Sequence, residues 1–227
     1  MITIVGLGPS GYSRLSVGAY RVIRSAPIVF VRTARHPVVQ ELAAEGIAFE
    51  AMDGIYESAG TFEEVYERIA NRILDEAAES GDAVYAVPGH PLVGEESVRI
   101  LIRKAREKGL ETAVIGSESF IEASLEALGF GLDAGLKVLD ALSIGRVTPA
   151  SDTGNLIYQV YDRDVTSEVK LKLMEHYPDD FEVILISGAG TPGQVVRAIP
   201  LHQLDRCECD HLTTVYLPPT NTDERSE

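Results

Sequence analysis

Short apolar runs separated by longer amphipathic stretches set the texture of the first half of the chain. Ile2–Val5, Ile28–Val31, Ala83–Val87 and Thr112–Ile115 are continuous and four to five residues long, the length and composition of strands buried on both faces. Between them lie helical patterns. Thr61-Phe62-Glu63-Glu64 spells a capping box that opens a helix with Phe62, Val65, Ile69 and Ile73 on one face. Val98, Leu101, Ile102 and Ala105 form the next apolar stripe, and Gly109 stands where a helix-terminating glycine belongs. Ser119 and Glu122 make a second capping box before Leu125, Leu128 and a stop at Gly129. This alternation predicts α/β architecture with largely parallel sheets.

The pattern loosens after Gly129. Strands over Leu136–Leu139, Leu156–Tyr161, Glu182–Ser187 and Leu212–Leu217 are more widely spaced, and one clear helix runs from about Thr166 to Tyr177, ended by Pro178. Two α/β subdomains are expected, over residues 1–115 and 116–217. The polar stretch 218–227, PPTNTDERSE, reads as a tail or linker.

Composition narrows the function classes. At 227 residues, 45% hydrophobic and 24% charged, the chain has an ordinary globular make-up. Its 35 acidic residues against 20 basic give a net charge of −15, a field that repels phosphate backbones and makes nucleic acid an unpromising partner. No apolar run approaches the ~20 residues of a membrane span. Two cysteines without a signal-like leader point to a reducing, cytoplasmic setting.

Gly6 to Gly11 reads GLGPSG, the literal spelling of a dinucleotide-binding turn. Its context disagrees. That site needs a helix opening directly on the last glycine, whereas the expected N-cap here is Ser16, five positions later. No acid follows the second strand at Val31-Arg32-Thr33 to hold a ribose; Arg32 leaves an NADP oxidoreductase as a weak alternative. Three further small-residue loops each follow an expected strand: Pro88 to Glu95 (PGHPLVGE), Gly116 to Phe120 (GSESF) and Gly188 to Gln194 (GAGTPGQ). Ligands of open α/β sheets bind beyond the carboxyl ends of strands, where glycines permit close backbone approach.

In order and spacing, VGLGPS, VPGHPLVGE, GSES and GTPGQ resemble the tetrapyrrole (corrin/porphyrin) methylase family, the class III S-adenosylmethionine-dependent methyltransferases, over nearly the whole chain. HPVVQELAAEGIAFEAMDGIYE and IYQVYDRDVTS resemble its YabN-like branch, whose methylase domain is found fused to MazG-type nucleoside-triphosphate pyrophosphohydrolases. The resemblance implies two α/β subdomains with mixed sheets and a ligand cleft between them, S-adenosyl-L-methionine as cofactor, and a homodimer. It implies cofactor contacts from Leu7, Gly8 and Pro9, from Gly89, His90, Val93 and Gly94, and from Ser117, Glu118 and Ser119. Tyr158 and Gln159, with Ala189, Gly190, Thr191 and Pro192, complete the implied set; no catalytic residue is assigned. Where many members carry P-G-D-P, this chain has Pro88-Gly89-His90-Pro91, an imidazole in place of a carboxylate, and His90 is expected to serve binding and not as a base.

The other chemistry-bearing residues have plainer readings. Cys207 and Cys209, flanked by His202 and His211, lack the second pair of a zinc pattern and fall on a strand-like segment. Arg32, Arg35 and His36 are either an anion-binding cluster or solvated charge. Asp162 and Asp164 suit turns. The expected function is methyl transfer to a small, tetrapyrrole-like acceptor. The alternative is a non-catalytic module that binds the methyl donor or a nucleotide and regulates a fused or partner pyrophosphohydrolase.

Overall fold

The computed structural model describes residues 1–133 and 135–220. The chain forms two compact units, Met1–Phe120 and Ile121–Glu227. The last seven residues of the expected tail lie outside the described residues.

The first unit contains, in chain order, β1 (Ile2–Gly6), α1 (Val17–Ser25), β2 (Val29–Val31), α2 (Pro37–Ala44), β3 (Phe49–Ala51), α3 (Asp53–Ser58), α4 (Phe62–Ser80), β4 (Ala83–Val87), α5 (Glu96–Glu107) and β5 (Thr112–Ile115). Its five strands pair in the order β3-β2-β4-β1-β5, all parallel. Strand periodicity sends alternate side chains to opposite faces. Ile2, Ile4, Phe30, Tyr85 and Val87 join one core with α4 and α5; Val5, Val29, Val31, Val84 and Ala86 join the other with α1 and α2. Both faces are therefore covered, which explains why these strands carry unbroken apolar runs.

The capping box forms, with one change. The Thr61 hydroxyl accepts from Glu64 N–H, but the Glu64 carboxylate accepts from Gly60 N–H and not from Thr61. Val65, Ile69 and Ile73 are buried as expected, while Phe62, at 68% exposure, is off the core face. As the first residue of α4 it lies beyond the edge of the sheet-facing stripe, and it stacks on Tyr66 instead.

The second unit continues from α6 (Phe120–Leu128) through β6 (Leu136–Asp140), β7 (Gly154–Tyr158), α7 (Arg163–Met174), β8 (Glu182–Ser187), β9 (Val195–Pro200) and β10 (Thr213–Leu217). Its sheet, β6-β7-β10-β8-β9, is mixed. Only β6 and β7 pair in parallel; the other ladders are antiparallel. A mixed sheet is what the family resemblance implied for this half. The helix α7 starts three residues before the expected Thr166, because the Asp162 carboxylate accepts from Val165 N–H and caps it. Val169 and Leu173 of α7 pack with Leu201 and Leu204 of a 3-10 turn, Leu201–Arg206, onto one sheet face. Cys207 and Cys209 follow that turn and lie outside any strand, which corrects their reading as strand residues; both are free thiols packed against the same core. Two strands escaped the pattern: β3, three partly exposed residues, and β9, an edge strand whose first four residues are exposed.

Candidate functional site

The three small-residue loops of the first unit follow β4, β1 and β5, which are adjacent in the sheet. Parallel neighbours end at one edge about 4.8 Å apart, so the loops meet. Gly8 takes φ +76° and Gly89 φ +63°, a region open mainly to glycine. The two residues form an antiparallel bridge: Gly8 N–H donates to Gly89 O at 3.1 Å and Gly89 N–H to Gly8 O at 2.8 Å. A Cβ on Gly6 would lie 2.5 Å from Gly89 O and 2.9 Å from Ser117 N, so a side chain there would strike backbone from both other loops. Leu7, between these glycines, points into the core and is fully buried. Its implied part in ligand contact therefore rests on backbone.

The third loop closes on the first through its serines. Ser117 Oγ donates to Gly6 O at 2.6 Å and accepts from Ser16 N–H at 3.0 Å. Glu118 is held by Arg14 Nη1, at 2.8 and 3.0 Å from its two oxygens, and Ser119 is buried. Ser16 also caps α1 through Ala19 N–H, so the helix begins well past Gly11, as the sequence indicated against a dinucleotide site.

His90 is fixed by two neighbours. Leu92 N–H donates to His90 Nδ1 at 3.1 Å, which places the proton of the neutral ring on Nε2. Nε2 lies over Gly116, where a Cβ would come within 2.4 Å of it. An imidazole with its lone pair engaged and its N–H against a glycine is arranged to shape and line the loop. Gly89, by contrast, has nothing within 4 Å of where its Cβ would be, and Gly94 has φ +72°.

His36 is the residue that the sequence left undecided between solvated charge and ligand. It is buried at the start of α2, and its Nε2–H donates to the Gly8 carbonyl at 3.0 Å. Burial lowers its pKa to about 4, against the partial support of the Gly8 bond, so the ring is neutral near pH 7. The signal was present in His36-Pro37: proline is favoured at the first helical position, which puts His36 at the N-cap. Arg32, too, departs from the solvated reading. Its Nε is sealed from solvent and stands 3.5 Å from Glu95, whose side chain is only 8% exposed.

In the second unit β7 and β8 are both antiparallel to β10 and therefore parallel to each other. Tyr158-Gln159 and the loop 188–194 thus leave the same edge of that sheet, two strands apart. Gln159, at φ +63°, is the non-glycine residue with positive φ among those described, a local strain of the kind that gathers at functional sites. Burial, with Asp140 nearby, raises the Tyr158 pKa. Thr191 Oγ1 donates to Gly188 O at 2.7 Å and accepts from Gly193 N–H at 3.2 Å, while Gly190 N–H donates to Gln194 Oε1 at 3.0 Å.

A family model described as Tetrapyrrole (Corrin/Porphyrin) Methylases matches residues 1–205. The chain belongs to this family of tetrapyrrole methylases. It is 40% identical over 219 residues to the uncharacterized protein YabN of Bacillus subtilis (strain 168), a match covering 96% of this chain and 45% of that protein. The chain thus spans about half the length of the curated relative it matches. Among solved structures, the methylase fold is shared with uroporphyrin-III C-methyltransferase from Thermus thermophilus, at TM-score 0.76 and 20% identity over 96% of this chain and 94% of that one. The cobalt precorrin-4 methyltransferase CbiF matches at TM-score 0.71 and 15% identity over 98% and 96%. A Thermus thermophilus uroporphyrin-III C-methyltransferase complexed with S-adenosylhomocysteine matches at 0.69 and 18% over 96% and 97%.

Proposed function

We propose that this tetrapyrrole methylase chain is an S-adenosylmethionine-dependent methyltransferase acting on a small, tetrapyrrole-like acceptor, and that it works as a homodimer. The observation that carries the reading is the Gly8–Gly89 bridge, which binds two of the family's motif loops into one backbone-lined ledge at the carboxyl end of a parallel sheet. Bound S-adenosylmethionine would supply a methyl group on a positively charged sulfur, open to in-line attack by an electron pair of the acceptor, with the carbon–sulfur bond breaking towards sulfur and S-adenosylhomocysteine as the leaving group. Such a step depends mainly on alignment, and the chain's residues fit that demand. Gly89, with open space where a side chain would stand, lets a ligand approach the bridged backbone closely, and Gly94 takes a positive φ open mainly to glycine. His90, its Nδ1 engaged by Leu92 N–H, lines the ledge and takes no proton from the acceptor. Ser117 holds the third loop in register, and Glu118, paired with Arg14, contributes little net charge. On the second unit, Tyr158, Gln159 and the Ala189–Pro192 loop are the residues that the family resemblance adds to the set.

Calorimetric titration of the chain with S-adenosylmethionine and S-adenosylhomocysteine tests the reading. Binding of both is expected, and silence at millimolar ligand overturns it. His90→Ala is expected to weaken binding and turnover together; abolished turnover with affinity intact would make His90 a base.

The length of the relative favours a second reading, because more than half of that protein lies outside the match. There the chain is a donor-binding module that regulates a fused or partner pyrophosphohydrolase of the MazG type. Donor binding without methyl transfer to any tetrapyrrole would select it.

A further inference from the structure

Beside the ledge, in the first unit, lies a polar cluster that the methyl-transfer reading does not use. Arg32 directly follows β2, and its N–H donates to Ala86 O of β4 at 2.9 Å. Glu95 closes the loop that begins at Pro88. Tyr85 OH and Ser97 Oγ share a hydrogen bond at 2.9 Å, and Ser97 Oγ donates to Glu95 Oε2 at 3.4 Å. Tyr56, from α3, completes the group. Two buried donors, Arg32 Nε–H and Tyr56 O–H, meet no acceptor among the described residues. Buried polar groups are nearly always paired, and one left unpaired is costly, so two in one cluster need a cause.

A structural ion pair is a poor cause. Arg32 and Glu95 approach only to 3.5 Å, outside good charge-assisted geometry. Burial also pushes the Glu95 carboxyl up from its ordinary range, against the opposing pull of Arg32 and Ser97. Burial likewise pushes Tyr56 up to about 12, against the charge of Arg32 and a loose contact of the guanidinium with the phenol oxygen; the hydroxyl stays protonated, and its O–H meets no acceptor among the described residues. Meanwhile 30% of the Arg32 side chain is exposed, at the sheet edge from which the Gly89 loop also leaves.

We propose that Arg32 and Tyr56 form a binding site for an oxyanion, a carboxylate or phosphate group, next to the PGHPLVGE loop. A guanidinium fork matches both groups in shape, and a phenol supplies a directed neutral donor. The site is independent of whether the chain transfers a methyl group. Glu95 bounds it on one side and disfavours a second anion there, so the site takes one oxyanion.

Sodium phosphate and sodium acetate are titrated into the chain, with sodium chloride at matched ionic strength as control. The readout is tyrosine fluorescence, which the absence of tryptophan leaves unmasked. Saturable binding of at least one oxyanion, and none of chloride, is expected; phosphate alone marks a phosphorylated ligand and acetate alone a carboxylate. Tyr56→Phe is expected to weaken that binding several-fold while raising the thermal midpoint by about 2–4 °C, because an unpaired hydroxyl leaves the interior. Since Arg32→Gln alone strands the Glu95 carboxyl, the Arg32→Gln/Glu95→Gln double variant is used, and at least ten-fold weaker binding is expected. No saturable binding by the unaltered chain, equal response to chloride, or unchanged binding in both variants overturns the proposal. A parallel titration with S-adenosylhomocysteine separates the two ideas. If it binds where the oxyanions do not, the donor reading stands and this one falls, and the converse result reverses that.

Discussion

The motif loops of the two units are held in opposite ways. In the first unit, Gly8 is bonded to Gly89, Gly6 to Ser117, Arg14 to Glu118, and the Gly8 carbonyl to His36. Each loop is braced by another that is distant in sequence. In the second unit the loop 188–194 is closed mainly by its own members, Thr191 bonding to Gly188 and Gly193 and Gln194 to Gly190, with Gly188 N–H to Leu212 O at its base as the tie to a distant segment. Long-range bracing ties ligand geometry to the stability of the whole unit, whereas a self-closed loop can be altered while its sheet stays intact. The first arrangement protects shape and the second permits adjustment.

The sharpest way to break this contrast is Gly6→Ala. A methyl group 2.5 Å from Gly89 O and 2.9 Å from both Ser117 N and Pro91 Cδ meets backbone and a rigid proline ring, so a loss of about 3 kcal/mol is expected. That corresponds to a thermal midpoint roughly 6–12 °C lower, with S-adenosylhomocysteine binding lost. A near-normal midpoint would mean that the three loops are not interlocked.

Acid should act on the same bracing. The folded-state pKa of His36, about 4, lies below the ordinary value of about 6.5, so between these values the unfolded chain binds the proton more readily. His36 therefore stabilises the fold fully above pH 6.5, and this is lost as pH falls through 6.5 towards 4. By pH 4.5 about 2.5 kcal/mol of it should be gone. Urea midpoints of the chain and of His36→Gln, compared from pH 7.5 to 4.5, isolate this from the carboxylates; parallel curves would refute it.

On the second unit, Thr191→Ala should cost only about 1 kcal/mol of stability yet weaken S-adenosylhomocysteine binding by about ten-fold, measured by calorimetry and thermal melting together. A large fall in midpoint would erase the distinction between the units. Smallest of all, Gln159→Gly relieves a positive φ at the expense of chain entropy, and stability should rise by up to about 1 kcal/mol.

Much of this was written in local pattern. Ala83–Val87, Thr112–Ile115 and Glu182–Ser187 are strands at the very residues their apolar runs marked, because burial and β-branched composition agree there. The strands β3 and β9 were invisible because edge strands owe their existence to a neighbour's hydrogen bonds more than to their own side chains. Ser16 as a helix cap was legible; Asp162 was read as a turn residue because capping and turning use the same side-chain chemistry. At the site, the glycine loops and their order could be read, and with them the family. The bridge between Gly8 and Gly89, the ring of His90 on Gly116 and the turn of His36 towards Gly8 could not, since each joins residues whose separation in sequence carries no period. Arg32 shows the same limit, for its burial depends on Glu95 and Tyr56 from two other elements.

The position of β1 at the interior of its sheet has a consequence for how the chain is made. Its first strand pairs with β4, from Ile2 with Ala83, and with β5, from Ile2 with Thr112. Roughly 80 residues must leave the ribosome before β1 finds either neighbour, which at 5–20 residues per second is about 4–16 s. Throughout that interval two apolar edges wait without partners, and parallel pairing over such separations is intrinsically slow. The strand that anchors the ligand ledge is thus the first of its sheet to be synthesised and among the last to be secured.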